Sequence, residues 1–135
     1  MTAPAVALRA AIHTTLAADA GLAALLGAGQ VYDEAPRDAQ PPYVTFGDFQ
    51  SRDWSTASDH GAEHFVVINA WSAQRGAREA LAIADQVRAL LDDQPLNLSG
   101  WHLVNLRFVQ LETRRENNAR YARASLRFRA VTEPL

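Results

Sequence analysis

The stretch Arg120-Tyr121-Ala122-Arg123-Ala124-Ser125-Leu126-Arg127-Phe128-Arg129-Ala130 reads as a β-strand with two unlike faces. Successive side chains of a strand point to opposite sides of the sheet. Ala122, Ala124, Leu126, Phe128 and Ala130 therefore share an apolar face, and Tyr121, Arg123, Ser125, Arg127 and Arg129 share a polar one. Upstream, Trp101 to Glu112 reads as a second strand, joined to this one around Glu116-Asn117-Asn118, a hairpin-type turn. The strand over Arg120 to Val131 thus sits in an antiparallel sheet that needs cover on one side only.

Further upstream, Gly76 to Leu91 predicts an amphipathic helix. Ala80, Leu81, Ile83, Ala84, Val87, Leu90 and Leu91 lie on one face, and Arg78, Glu79, Asp85, Arg88 and Asp92 on the other. Glu63 to Trp71 is a strand whose Phe65-Val66-Val67-Ile68 run is apolar on both faces, as suits a central strand. Tyr43 to about Trp54 is a strand running into a polar tip, Ser51 to Gly61, and Val31-Tyr32-Asp33 is a short strand before a loop containing Pro36, Pro41 and Pro42. At the start, Pro4 suits a first helical turn, with Thr2 or Ala3 just outside it. Leu8, Ile12 and Leu16, flanked by Ala5, Ala11 and Thr15, make an apolar stripe to about residue 18. Asp19 caps a second short helix, Ala20 to Leu26, which Gly27 stops. The expected fold is α+β, a mostly antiparallel sheet of four to five strands with two main helices packed on one face. The 135 residues are expected to form a single domain, 1–135, large enough to bury a core without a disulfide or metal.

The formal net charge is −2, but it is sorted along the chain. From Asp33 to Glu63, seven acids face two arginines, a local −5; from Arg107 to Arg129, seven arginines face two glutamates, a local +5. All 13 basic residues are arginine and the chain carries 26 alanines, which points to genome-wide composition more than to local selection. The sorting of charge therefore weighs more than the choice of cation.

Several classes are excluded. With no cysteine there is no disulfide framework, thiolate zinc site or cysteine nucleophile. No apolar run approaches the ~18 residues of a membrane span. The alanine-rich start, interrupted by Arg9 and His13, reads as a helix and not as an export signal, so the Asn97-Leu98-Ser99 acceptor spelling has no consequence. His60-Gly61-Ala62-Glu63-His64 spells an inverted zinc-peptidase motif, which needs both histidines on one helical face. Gly61 and the β-rich run that follows predict a strand, where residues four apart lie about 13 Å apart and share no zinc ion. The histidines then read as one loop residue and one at a strand start. Gly27-Ala28-Gly29 follows a helix end instead of opening one, no G-x-S-x-G elbow appears, and Asp33-Glu34 and Asp92-Asp93 sit beside loops as solvated charge. No catalytic residue, metal ligand or cofactor site emerges, and the chain is expected not to be an enzyme.

The arginine face leaves three readings: a nucleic-acid surface, an ordinary solvated face, or a surface that meets the acidic segment of another copy. Aromatic interleaving is too thin for a base-stacking platform, with only Tyr121 and the inward-pointing Phe128 nearby.

Val31-Tyr32-Asp33-Glu34-Ala35-Pro36, then Pro42-Tyr43-Val44-Thr45-Phe46-Gly47, resembles the "V-Y-D-x-x-P … P-Y-V-x-x-G" signature of a family of small tailed-phage proteins. Trp54-Ser55-Thr56 and Ile68-Asn69-Ala70-Trp71-Ser72 before a helix are similar to it as well, and the resemblance runs from the first helix through Leu126-Arg127-Phe128-Arg129-Ala130. The family comprises tail-completion or tail-terminator proteins of siphophages, prophages and gene transfer agents. The resemblance implies a structural protein, assembled in the host cytoplasm and carried in the tail of a virion or gene transfer agent particle. It implies a homo-oligomer, usually a hexameric ring, on the head-proximal end of the tail tube. Such a ring stops tube-protein polymerisation and offers a docking surface to the head connector or stopper protein, while DNA passes through its lumen without specific binding. No membrane partner or cofactor is implied.

A cyclic ring joins unlike patches of neighbouring subunits, and opposite charge fixes their register. The expected interface sets Arg120, Arg123, Arg127 and Arg129 against Asp48, Asp53 and Asp59 of the next copy; lining the lumen is the rival use of the acids. Another head–tail connector or tail-completion role, and a small nucleic-acid-binding protein using the arginine hairpin, are the alternatives.

Overall fold

The computed structural model describes residues 3–116, 118 and 120–135. Thr2, offered above as a helix flank, and Asn117 of the turn lie outside the described residues. The element order is α1 (Pro4–Ala18), α2 (Ala20–Leu26), β1 (Val31–Tyr32), β2 (Tyr43–Asp53), β3 (Ala62–Ser72), α3 (Arg78–Leu91), β4 (Trp101–Glu116) and β5 (Tyr121–Pro134). Among the described residues the strands form one five-stranded sheet in the order β1-β2-β3-β5-β4. Every pairing is antiparallel except β1 with β2, which is parallel and spans two residue pairs. The α+β architecture expected from the sequence is the one observed.

β3 is the central strand, paired along its whole length with β2 and β5. That position explains its unbroken apolar run. Val66, Ile68 and Ala70 face the helices, fully buried, while Phe65 and Val67 lie half-buried on the opposite, open face. In β5 the predicted alternation holds residue by residue: Ala122, Ala124, Leu126, Phe128 and Ala130 are buried, and Arg127 between them is exposed. The helices close the apolar face with Leu8, Ile12 and Leu16 of α1, Leu22 and Leu26 of α2, and Ala80, Ile83, Ala84, Val87 and Leu91 of α3. Leu81, assigned above to the buried stripe of α3, instead sits 38% exposed, because it falls at the edge of the helical arc that faces the sheet. In α1, Ala7 is buried beside Leu8, Ile12 and Leu16 and joins the stripe.

Helix ends follow their chemistry. Asp19 accepts a hydrogen bond from the Leu22 N–H (2.8 Å) and so caps α2, while Gly27 terminates it at φ 92°, a backbone region that favours glycine. The same Asp19 carboxylate takes a hydrogen bond from Gln86 Nε2 (2.9 Å), fastening α2 to α3. α3 begins at Arg78, two residues later than the periodicity suggests. Ser72 Oγ, donating to Glu79 Oε1 (2.7 Å) and accepting from the Gln74 N–H (3.0 Å), holds the preceding residues in the connection between strand and helix. β4 runs four residues beyond the predicted Glu112, since it stays paired with β5 to the Glu116–Tyr121 pair.

Phe128 is fully buried at the centre of the helix-covered face, with Phe108 edge-on at 6.0 Å. Phe128→Ala is expected to cost about 3–5 kcal/mol of stability, the usual range for an aromatic cavity in a core; chemical denaturation of the variant measures it.

Candidate assembly surface

The helix-free face of the sheet collects most of the charge that the sequence sorts. Its acidic centre is Glu63 of β3, only 3% exposed, a position no carboxylate holds without partners. β2 and β5 flank it, and both send an arginine: Arg52 opposite Glu63 in the β2–β3 register hydrogen-bonds one carboxylate oxygen, and Arg129 Nε donates to the other at 2.6 Å. Burial alone pushes the Glu63 carboxyl up, but the hydrogen bonds from Arg129 and Arg52 and their charges outweigh it and hold the group below its ordinary range. Both guanidinium groups also lie over the Trp54 ring, 5.6 Å from its centroid for Arg52 and 5.3 Å for Arg129.

Three further arginines rest on aromatic rings. Arg127 lies 4.5 Å from the Phe65 centroid and Arg123 5.6 Å from that of Trp71, while Arg120 lies 6.0 Å from Tyr121 at the hairpin end. Arg123 also pairs with Glu116 (3.0 Å), and Arg114 with Glu112 (2.9 Å). Arg120 and Arg127 reach no carboxylate among the described residues. A depression of about 300 Å³ opens between these side chains, with Asp48, Asn69, Glu112, Arg114, Arg123 and Arg127 on its walls.

The seven residues singled out for the subunit interface thus divide. Arg129 and Arg123 are committed within the chain. Asp53 accepts from Ser55 Oγ (2.6 Å) and its N–H (3.3 Å), and that side-chain hydrogen bond is the main cause of its lowered pKa. Asp48 shares the depression with Arg123 and Arg127, whereas Asp59 lies exposed in the β2–β3 loop, apart from them. Glu63, counted above only as part of an acidic segment, is the residue the sequence reading missed. Period two from Phe65 already set it on the polar face, but its arginine partners come from strands whose register the sequence did not supply.

The signature residues turn out to be builders of this sheet. Gln30 Nε2 donates to the carbonyls of Gln40 (2.9 Å) and Pro42 (3.0 Å) and so closes the proline-rich loop, whose Pro41-Pro42 bond is cis. Tyr32, Tyr43 and Trp71 then pack in sequence, with ring centroids 6.0 and 6.2 Å apart, and Trp71 Nε1 donates to Thr45 Oγ1 at 3.0 Å. Asp33 pairs with Arg9 of α1. Gly47 opens the bulge of β2, where a Cβ would stand 2.9 Å from Asn69 Nδ2 and 3.1 Å from Val67 Cγ1, so a larger residue would have to push these side chains aside.

The His60–His64 spelling resolves in the same way. His60 lies in an exposed loop, and His64 and Glu63 belong to β3, where they face opposite sides. His64 is fully buried between two hydroxyls, with Ser51 Oγ 2.5 Å from Nδ1 and Thr132 Oγ1 2.9 Å from Nε2. No group of three or more His, Asp or Glu side chains is arranged to hold a metal ion among the described residues. No helix is long and apolar enough to cross a membrane among the described residues.

The family model for tail completion protein gp17 matches residues 10–133. Among solved structures, a chain in the virion of a native gene transfer agent (GTA) particle is 38% identical, over 98% of this chain and 99% of that one, and superposes with a TM-score of 0.90. No curated protein matches the chain significantly.

Burial holds the His64 ring below its ordinary pKa of 6.5. The folded protein therefore binds this proton less readily than the unfolded chain, and stability falls as the pH drops through that value. His64→Phe is expected to lose about 1–3 kcal/mol above neutral pH, by stripping the buried Thr132 hydroxyl of its partner, and to flatten the stability profile between neutral and mildly acid pH. Denaturation across that range tests both.

Proposed function

We propose, for a chain that belongs to the tail completion protein gp17 family, a ring that caps the head-proximal end of a tail tube. Family membership and the near full-length likeness to a chain of a GTA virion make it a structural tail protein. In the finer reading, residues 1–135 act as a single domain and several copies, six in the expected ring, join head to tail. The ring ends tube-protein polymerisation, presents a docking surface to the head connector or stopper, and leaves a lumen through which DNA passes without specific binding. It carries no catalytic step and no cofactor.

The observation that carries this reading is the likeness to a virion component along nearly the whole chain. The charge distribution supports the head-to-tail part. Arg120 and Arg127 are exposed cations, and Asp48 and Asp59 exposed anions, none with an oppositely charged partner among the described residues. Such groups contribute little to an isolated subunit, because exposed charges are well solvated. Across an interface they steer the approach of the neighbouring copy and disfavour like-to-like docking. Arg123, Arg129 and Asp53 complete the interface while holding their in-chain partners.

Arg120→Glu combined with Arg127→Glu is expected to leave subunit stability within about 0.5 kcal/mol of the parent, as for other exposed substitutions, and to abolish ring formation on tubes. Electron microscopy of particles then shows over-long or headless tails. Normal tails from the double variant overturn the charge interface. Normal tails from cells lacking the protein overturn the capping role itself.

A further inference from the structure

The geometry points to subunits joined by sheet extension: the free edge of β4 in one copy pairs with the free edge of β2 in the next. This inference rests on the head-to-tail ring proposed above and adds the backbone surfaces that make it.

Two lengths of strand edge lack a strand partner among the described residues. β1 covers β2 only at Val44 and Thr45, so the edge from Phe46 to Asp53 is open. On the other side of the sheet, β4 is partly covered. The Asp93 N–H donates to the Leu106 carbonyl (2.8 Å) and the Phe108 N–H donates to Asp92 Oδ1 (2.9 Å), so the link after α3 occupies the middle of that edge. Beyond the bulge at Val109 the edge lacks a strand partner as far as Arg114, and Val109 and Leu111 are 47% and 41% exposed. The lengths without a strand partner are thus residues 46–53 of β2 and 109–114 of β4. Neither open length contains proline, which would interrupt an added ladder.

Polarity and charge select the second copy as occupant. β2 is antiparallel to β3, β3 to β5, and β5 to β4, so β2 and β4 run in opposite directions. A neighbour's β2, placed beside β4 with its sheet facing the same way, therefore forms an antiparallel ladder. The contact is heterologous, β4 to β2, as a closed ring requires. The strand order also polarises the sheet across its width. The β2–β3 hairpin, residues 43–72, carries four acids and one arginine, and the β4–β5 hairpin, residues 101–134, carries seven arginines and three glutamates. Within a subunit the two hairpins meet at the β3–β5 seam, where Arg129 and Arg52 neutralise Glu63. The open lengths themselves are close to neutral, so the opposite excess charge that the next copy brings together belongs to the hairpins behind them.

Cysteine cross-linking tests the pairing, since the chain has no thiol of its own. Gln50→Cys is combined in turn with Gln110→Cys, Glu112→Cys or Arg114→Cys, exposed positions of the same outer face that cover neighbouring registers, and tails carrying each variant are oxidised. At least one combination is expected to give a reductant-sensitive ladder at multiples of the 14.8 kDa chain, with none from any single-cysteine variant. Rings that assemble with no ladder in any combination overturn the pairing and leave the ring intact. A cross-link to the tube protein overturns it in favour of a different occupant of the edge. Tails that carry no ring overturn this inference together with the capping role.

Discussion

The pairing of β3 with β5 is the constraint on which the rest depends. It joins residues 50 to 70 apart in sequence, over a ladder from Ala62–Thr132 to Ser72–Ala122. Its apolar side supplies the floor of the core, Val66, Ile68, Ala70, Leu126 and Phe128, against which all three helices bury their stripes. Its polar side brings the acidic segment of the chain into contact with the basic one. Hydrophobic burial sets the register, because a slip of one residue would turn Phe128 to solvent and Arg129 into the core. The placement of charge on the open face is therefore a consequence of packing on the covered face.

The buried carboxylate at that seam carries the second lesson. A lone Glu63 at 3% exposure would be strongly destabilising, and removing one partner of a buried pair costs more than the pair itself contributes. Two arginines from two different strands satisfy it, so the clamp spans β2, β3 and β5 and makes the three strands a cooperative unit on a face with no helices above it. The sum of local charges hides this, since the acid that matters most is the one that water does not see.

Much of the fold was legible in the chain. Period two in residues 120–130 and period 3.6 in residues 78–91 each reflect one buried face, and Asp19 and Gly27 mark helix ends through local hydrogen bonding and backbone freedom. What was not legible depended on register or on distance. The later start of α3 follows from the contacts of Ser72 with Glu79, and the extension of β4 from its partner strand. The assembly surface was visible only as a sorting of charge. That Arg129 serves Glu63 while Arg127 remains available is decided by which residues stand opposite each other on neighbouring strands. The family signature was legible as a pattern, yet its residues are structural: Gly47 admits the close approach of Asn69, and Tyr43 and Trp71 pack the N-terminal end of the sheet.

Arginines held over aromatic rings have a kinetic and entropic consequence for association. A free arginine side chain explores many rotamers, and freezing it at a contact opposes binding by up to about 2 kcal/mol. Arg127 above Phe65 and Arg123 above Trp71 are already restricted before any neighbour arrives. The ordering that docking would demand of them has been completed during folding, so the surface meets a partner with its charges preset. Replacing Phe65 by a small residue would leave every charge in place and still slow assembly, because the cation above it would have to be caught in motion.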